Sequence, residues 1–226
     1  MDREKLKHHI YGTYVTLRYG LAGIAVFFPM LLYVGGRIEH IDPQSSMSHY
    51  YFASATGLSN APMRVWFVGL LFAIGTCLIL YKGFGALEDW LLNAAGASAA
   101  CVALFPMPWD CGAECPNVTI HGISATILFL CIAAVSIFCA RDTLPLIVDQ
   151  RQRMNYRRKY HGIGAVMIAT PMVAFAFSEW IGGTQRYVFA IEAVGIWVFA
   201  YYWWTKSREL GQSDAELRAL NSEFET

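Results

Sequence analysis

Six long apolar runs alternate with short polar segments along the chain. They cover residues 17–34, 63–81, 87–107, 118–140, 160–178 and 187–205. Each is near the ~20 residues (about 17–25) that a helix needs to cross a bilayer. Most are apolar all round rather than along one stripe, which predicts helices set among lipid and one another, not the amphipathic helices of a soluble bundle. The pattern therefore predicts an all-α, polytopic membrane protein. Residues 1–206 would form a six-transmembrane-helix bundle, and residues 207–226 a polar cytoplasmic tail. Residues 1–16 are expected as a short interfacial helix. Ser213 followed by Glu216 is a plausible capping box in the tail. A basic stretch precedes the first run, but no small-residue cleavage site follows Val34, so that run is expected to remain as a helix.

Charge adds an orientation. Arg3, Lys5, Lys7, Arg18, Lys82, Arg141, Arg151, Arg153, Arg157, Arg158, Lys159, Lys206, Arg208 and Arg218 fall on one side of a six-span layout. Only Arg37, Arg64 and Arg186 fall on the other. Cytoplasmic loops carry the excess of Lys and Arg, so both termini are expected in the cytoplasm, as in a bacterial inner membrane. Trp66, Trp90, Trp109, Trp180, Trp203 and Trp204 lie near span ends, where an amphipathic ring favours the headgroup level.

Composition agrees: 56% of residues are hydrophobic and 15% charged, against roughly 45–50% and 25% in soluble domains. Too few charges exist to coat a soluble enzyme. A net charge of zero excludes a basic nucleic-acid binder and an acidic disordered chain. Membrane lipids are the expected partners, with a membrane-protein partner or a second copy of the chain also open. The small residues Ala94 to Ala100 permit close helix approach, which predicts a central third span. Tyr201, Tyr202, Trp203 and Trp204 are expected to face lipid.

Candidate chemistry gathers on the outer side. The connection 35–62 is long, and long ordered loops are often functional. It holds His40, Asp42, Ser48, His49, Tyr50 and Tyr51. The connection 108–117 holds Asp110, Cys111, Glu114 and Cys115. The Cys111–Cys115 pair suits a disulfide in an oxidising compartment, with free thiols or a metal as alternatives. Asn117-Val118-Thr119 matches a glycosylation acceptor but lies against the membrane.

Ionisable residues at membrane depth are costly and point to function. Arg64 opens the second span, His121 lies a turn into the fourth with Ser124 at i+3, and Glu179 closes the fifth. Glu192 lies about 9 Å inward from Arg186 at the helical rise, with Arg64 or His121 as expected partners. The inner-side Lys82, Glu88, Asp89 and His161 stand at span ends, where snorkelling is cheap. Ser48, Tyr50, Arg64, His121, Ser124, Glu179 and Glu192 are thus the candidate ligand-binding residues. The expected activity is binding of a lipid, an apolar ligand or a membrane partner in a polar outer pocket, with no cofactor. The alternative is a zinc-dependent lipid hydrolase with His40, Asp42, His49 and His121 as ligands. Neither a nucleophile elbow nor a His-Glu-x-x-His pair is present to support it. A transporter ranks below both, because no inverted repeat is visible.

Three short motifs carry a likeness: Ser48 in Ser-Met-Ser-His-Tyr-Tyr, His121 in His-Gly-Ile-Ser-Ala, and Glu192 in Ile-Glu-Ala-Val-Gly-Ile-Trp. With the six-helix plan, they resemble the damage-regulated autophagy modulator (DRAM) family, its GPI-lipid-remodelling relatives and many bacterial proteins of the same layout. The resemblance implies a six-helix fold and a role near lipids, without a defined reaction. His49-Tyr50 stands where that family has Asp-x-Gly after its serine.

Overall fold

A computed structural model describes residues 3–55, 61–109, 116, 118–180 and 186–218. All regular structure among them is helical. It comprises α1 (Arg3–Ile38), α2 (Pro62–Leu80), α3 (Ala86–Leu104), α4 (Ile120–Phe138), α5 (Gln150–Trp180) and α6 (Arg186–Ser213). A short 3-10 turn, Ser48–Tyr51, lies in the first connection. Each helix packs on its neighbours in chain order and α6 returns to α1, closing a ring. The third helix is a member of this ring and not its centre.

Among the described residues four helices are long and apolar enough to cross a membrane: α1 over Lys5–Ile38, α2, α4, and α6 over Tyr187–Ser213. Small residues and two N-terminal acids dilute α3, and a basic first half dilutes α5. Outward faces such as Phe27, Val34, Val65, Ile79, Met172 and Phe175 are exposed and apolar, as a lipid-facing surface must be. Chain ends and turns follow local rules. Pro62 starts α2, where its missing N–H costs nothing. The Thr119 hydroxyl caps α4 by accepting the Gly122 N–H at 3.0 Å. The small residues of α3 act at one place: a Cβ on Gly75 would stand 2.7 Å from the Gly96 carbonyl, and one on Gly96 2.6 Å from the Gly75 carbonyl. The α2 and α3 backbones therefore touch there, as small residues allow in lipid.

The basic end of the bundle differs from its sequence expectation. Residues 3–16 continue α1 without a break rather than forming a separate helix. The stretch after Ser207 is no free tail: Ser207, Glu209, Leu210, Ser213 and Glu216 are buried. Glu216 does not cap Ser213. Instead it forms a bidentate ion pair with Arg18, which also donates to the Ser207 hydroxyl at 3.1 Å. Lys206 pairs with Glu209 at 3.4 Å, and Thr143 and Tyr160 donate to the same carboxylate at 3.1 and 3.2 Å. Glu88 is also buried, accepting the Phe84 N–H at 2.9 Å, while Lys82 and Asp89 form an outer pair at 3.0 Å. Tyr202 and Trp203 point inward; only Tyr201 and Trp204 face out. A helical period of 3.6 cannot set four consecutive side chains on one face.

Candidate functional site

The opposite end is organised by the first connection. His40, at φ 58°, ends α1 in the left-handed conformation. Ile41 N–H then reaches back to the Gly36 carbonyl at 2.8 Å, a Schellman closure. This turns the chain over the bundle mouth. Tyr50 anchors it: the ring is fully buried beside Phe189, and Gly36 leaves room for it, since a Cβ there would stand 2.6 Å from Tyr50 Cε1. Tyr50 is therefore a packing residue, with its hydroxyl 3.5 Å from the Gln44 N–H.

Once seated, the segment 45–52 meets a different helix at nearly every step. Ser45 carbonyl accepts the Phe189 N–H of α6 at 2.8 Å. Met47 N–H donates to Glu192 Oε2, also of α6, at 2.6 Å. Ser48 Oγ lies 2.8 Å from His121 Nε2 of α4. Arg64 of α2 donates to the Tyr51 carbonyl at 3.0 Å and stacks its guanidinium 4.7 Å from the Tyr51 ring. Arg64, His121 and Glu192 thus converge on one turn but do not pair with one another, as depth alone suggested. Groups of the inserted loop take those bonds instead: the Met47 amide, the Tyr51 carbonyl and the Ser48 hydroxyl.

His121 is held in one tautomer. Its Nδ1 lies 3.0 Å from the Phe105 carbonyl, which can only accept, so Nδ1 carries the hydrogen. In the neutral ring Nε2 is then the acceptor for the Ser48 hydroxyl. The Phe105 carbonyl is free for this because α3 ends at Leu104, leaving its last carbonyls without helical partners. His121 is buried, whereas Ser48 is half-buried. Ser124 is buried on the same helix face.

An aromatic cluster lies beside the pair. Phe52 stacks on Trp109 at 5.2 Å, and His49 meets the edge of Trp109 at the same separation. The Ser45 hydroxyl bonds His49 Nδ1. Burial first, and the neighbouring His121 second, push His49 below its ordinary value, so it is neutral at pH 7.

Residues 29–204 match the model of a family described as a protein of unknown function, DUF998. The chain belongs to the DUF998 family. No curated protein and no solved structure matches it. With its apolar helices, this DUF998 member is an integral membrane protein. The matched stretch contains Ser48, Arg64, His121 and Glu192 and excludes Arg18, Lys206, Glu209 and Glu216.

The zinc set of the DUF998 chain is not assembled. His40 serves the helix end, and Asp42 is exposed with Arg37 at 3.7 Å. Among the described residues no three His, Cys, Asp or Glu side chains come together as metal ligands. Cys111 and Cys115, and the side chain of Glu179, lie outside the described residues. The Phe105 carbonyl, Trp109 and the Met47 amide were absent from the sequence-derived site. A backbone partner leaves no side-chain signature, although the prolines at 106 and 108 mark the end of α3 and hence its free carbonyls.

Proposed function

We propose that the chain is a six-span inner-membrane protein, both termini cytoplasmic, whose outer loop holds a membrane lipid against the Ser48–His121 pair. Two features support six spans. At about 1.5 Å per residue a 19-residue helix reaches about 28 Å, and α3 packs on α2 and α4, while α5 packs between α4 and α6. The likeness to the damage-regulated autophagy modulator family fits the same plan. Cysteines placed at Lys82 and Pro108, with the native cysteines replaced, are expected to label from opposite sides of the membrane. Labelling from one side ends the six-span reading.

The observation that carries the ligand is the half-buried Ser48, its hydroxyl bonded to a buried histidine, beside Tyr51, Phe52 and Trp109, with Arg64 over the Tyr51 and Phe52 rings. A few convergent polar groups among aromatic side chains are what small-molecule sites present. A glycerolipid offers the matching chemistry: ester oxygens for Ser48, acyl chain for the rings, phosphate for Arg64. Native mass spectrometry of the purified chain tests this. Bound lipid is expected in the parent and is lost in His121→Ala; equal lipid in both, with the fold intact, contradicts it.

A second reading, acyl transfer, has one specific observation in its favour, the fixed tautomer of His121. Ser48 Oγ would attack an ester carbonyl carbon while its proton passes to Nε2. The ester C–O bond would then break, and the departing alcohol oxygen would take that proton. Water would release the acyl group from Ser48 by the same route. A fluorophosphonate probe is expected to label Ser48 if this holds. No labelling in active-folded protein leaves the site as a binder.

A further inference from the structure

A groove of about 380 Å³ lies at the basic end of the bundle, between the first turns of α5 and the last turns of α6. It is in the size range of ligand sites, roughly 300–1,000 Å³. Lys159 from α5 and Arg208 from α6 line it from its two walls, together with the amides of Gln152 and Asn155, and among the described residues no carboxylate lines it. The acid adjacent to Arg208 is committed elsewhere: Glu209 points into the bundle to Lys206, Thr143 and Tyr160. Lys159 lies 5.3 Å over the Tyr156 ring, a cation–π contact that places its ammonium. Towards the membrane the groove is bounded by Tyr201 and Trp204, each about half exposed (45% and 49%) on the apolar flank of α6.

Two cations and two amides suit a phosphate oxygen set. Two exposed aromatic rings on the membrane side suit the upper part of acyl chains, at the level where such rings reside. We propose that this groove is a headgroup site for an anionic glycerophospholipid, with its phosphate between Lys159 and Arg208 and its chains descending past Tyr201 and Trp204. A soluble phosphate would use the cations but would have no use for the aromatic flank. The site is separate from the outer loop and rests only on the reading that α5 and α6 cross the membrane.

The full-length protein in detergent, titrated with phosphatidylglycerol or phosphatidylcholine and read by native mass spectrometry, tests the proposal. Juxtamembrane basic residues favour anionic headgroups, so phosphatidylglycerol is expected to bind about tenfold or more tighter than phosphatidylcholine. Lys159→Gln with Arg208→Gln is expected to abolish the preference. Arg151→Gln with Arg158→Gln, which changes two exposed cations outside the groove, is expected to keep it. The charge-conserving pair Lys159→Arg with Arg208→Lys also keeps it, which guards against a folding defect. Equal loss in the two Gln pairs means diffuse attraction and overturns the site. Displacement of the lipid by inorganic phosphate at matching concentration means a soluble anion and overturns it too. Because His121→Ala leaves this groove untouched, its outcome is distinguishable from that of the outer-site test.

Discussion

The two ends of the bundle use polar residues in opposite ways. At the basic end, Arg18 pairs with Glu216 and Lys206 with Glu209, all buried; the first pair ties α1 to the chain after α6, and Glu209 is tied to Thr143 and to Tyr160 of α5. At the outer end, Arg64, His121 and Glu192 each engage one short loop, two of them through its backbone. The basic-end ion pairs fix a permanent contact, because a buried charge cannot lose its partner cheaply. The bonds to the loop are hydrogen bonds without an ion pair, and they hold the Ser48 hydroxyl at a half-buried position.

That contrast can be broken first at its stronger end. Glu216→Ala leaves the Arg18 guanidinium buried without its carboxylate, and about 3–5 kcal/mol of stability should be lost. Thermal unfolding in detergent measures it, and Arg18→Met combined with Glu216→Met should recover most of the loss. A single variant as stable as the parent would show that the pair does not fasten the helices. Next comes Gly36→Ala, which crowds Tyr50 and should cost about 1–3 kcal/mol. Its mark is local: amide exchange should quicken in residues 45–52 while residues 206–216 keep their protection. Uniform quickening would erase the distinction between the ends.

Smaller still is the loss of the Ser48–His121 bond. Ser48→Ala should cost about 1 kcal/mol, with the loop loosened and bound lipid reduced. The mildest effect is with pH. His49 has a folded value below that of a free imidazole, so its neutral form is the one the fold favours. Loop stability should be full above about pH 6.5, the unfolded value, and should fall as the pH drops below it towards the folded value. Trp109 fluorescence, whose ring touches His49, should follow that fall, and His49→Gln should flatten it.

The helices were legible because lipid demands long apolar runs, and α2, α3 and α4 begin and end close to where those runs do. Arg64, His121 and Glu192 were legible as costly polar residues at similar depth, and Ser48 as part of the long first connection. Their partners were not, since Met47 N–H and the carbonyls of Tyr51 and Phe105 are backbone groups common to every residue. Tyr50 and His40 were misassigned because a buried ring and a left-handed helix end are set by the turn of the chain over the bundle, which periodicity does not encode. The basic end was underestimated for a related reason. Charges near span ends usually reach water, and only the return of residues 207–216 onto α1 buries Arg18 and Glu216.

The central claim, that the outer loop covers a lipid at Ser48 and His121, is tested most directly by a photoreactive phospholipid crosslinked to the protein in a bilayer. Peptides containing residues 45–52 and 105–109 should carry the label in the parent and lose it in His121→Ala. Labelling confined to the exposed apolar flanks, equal in parent and variant, would contradict the account.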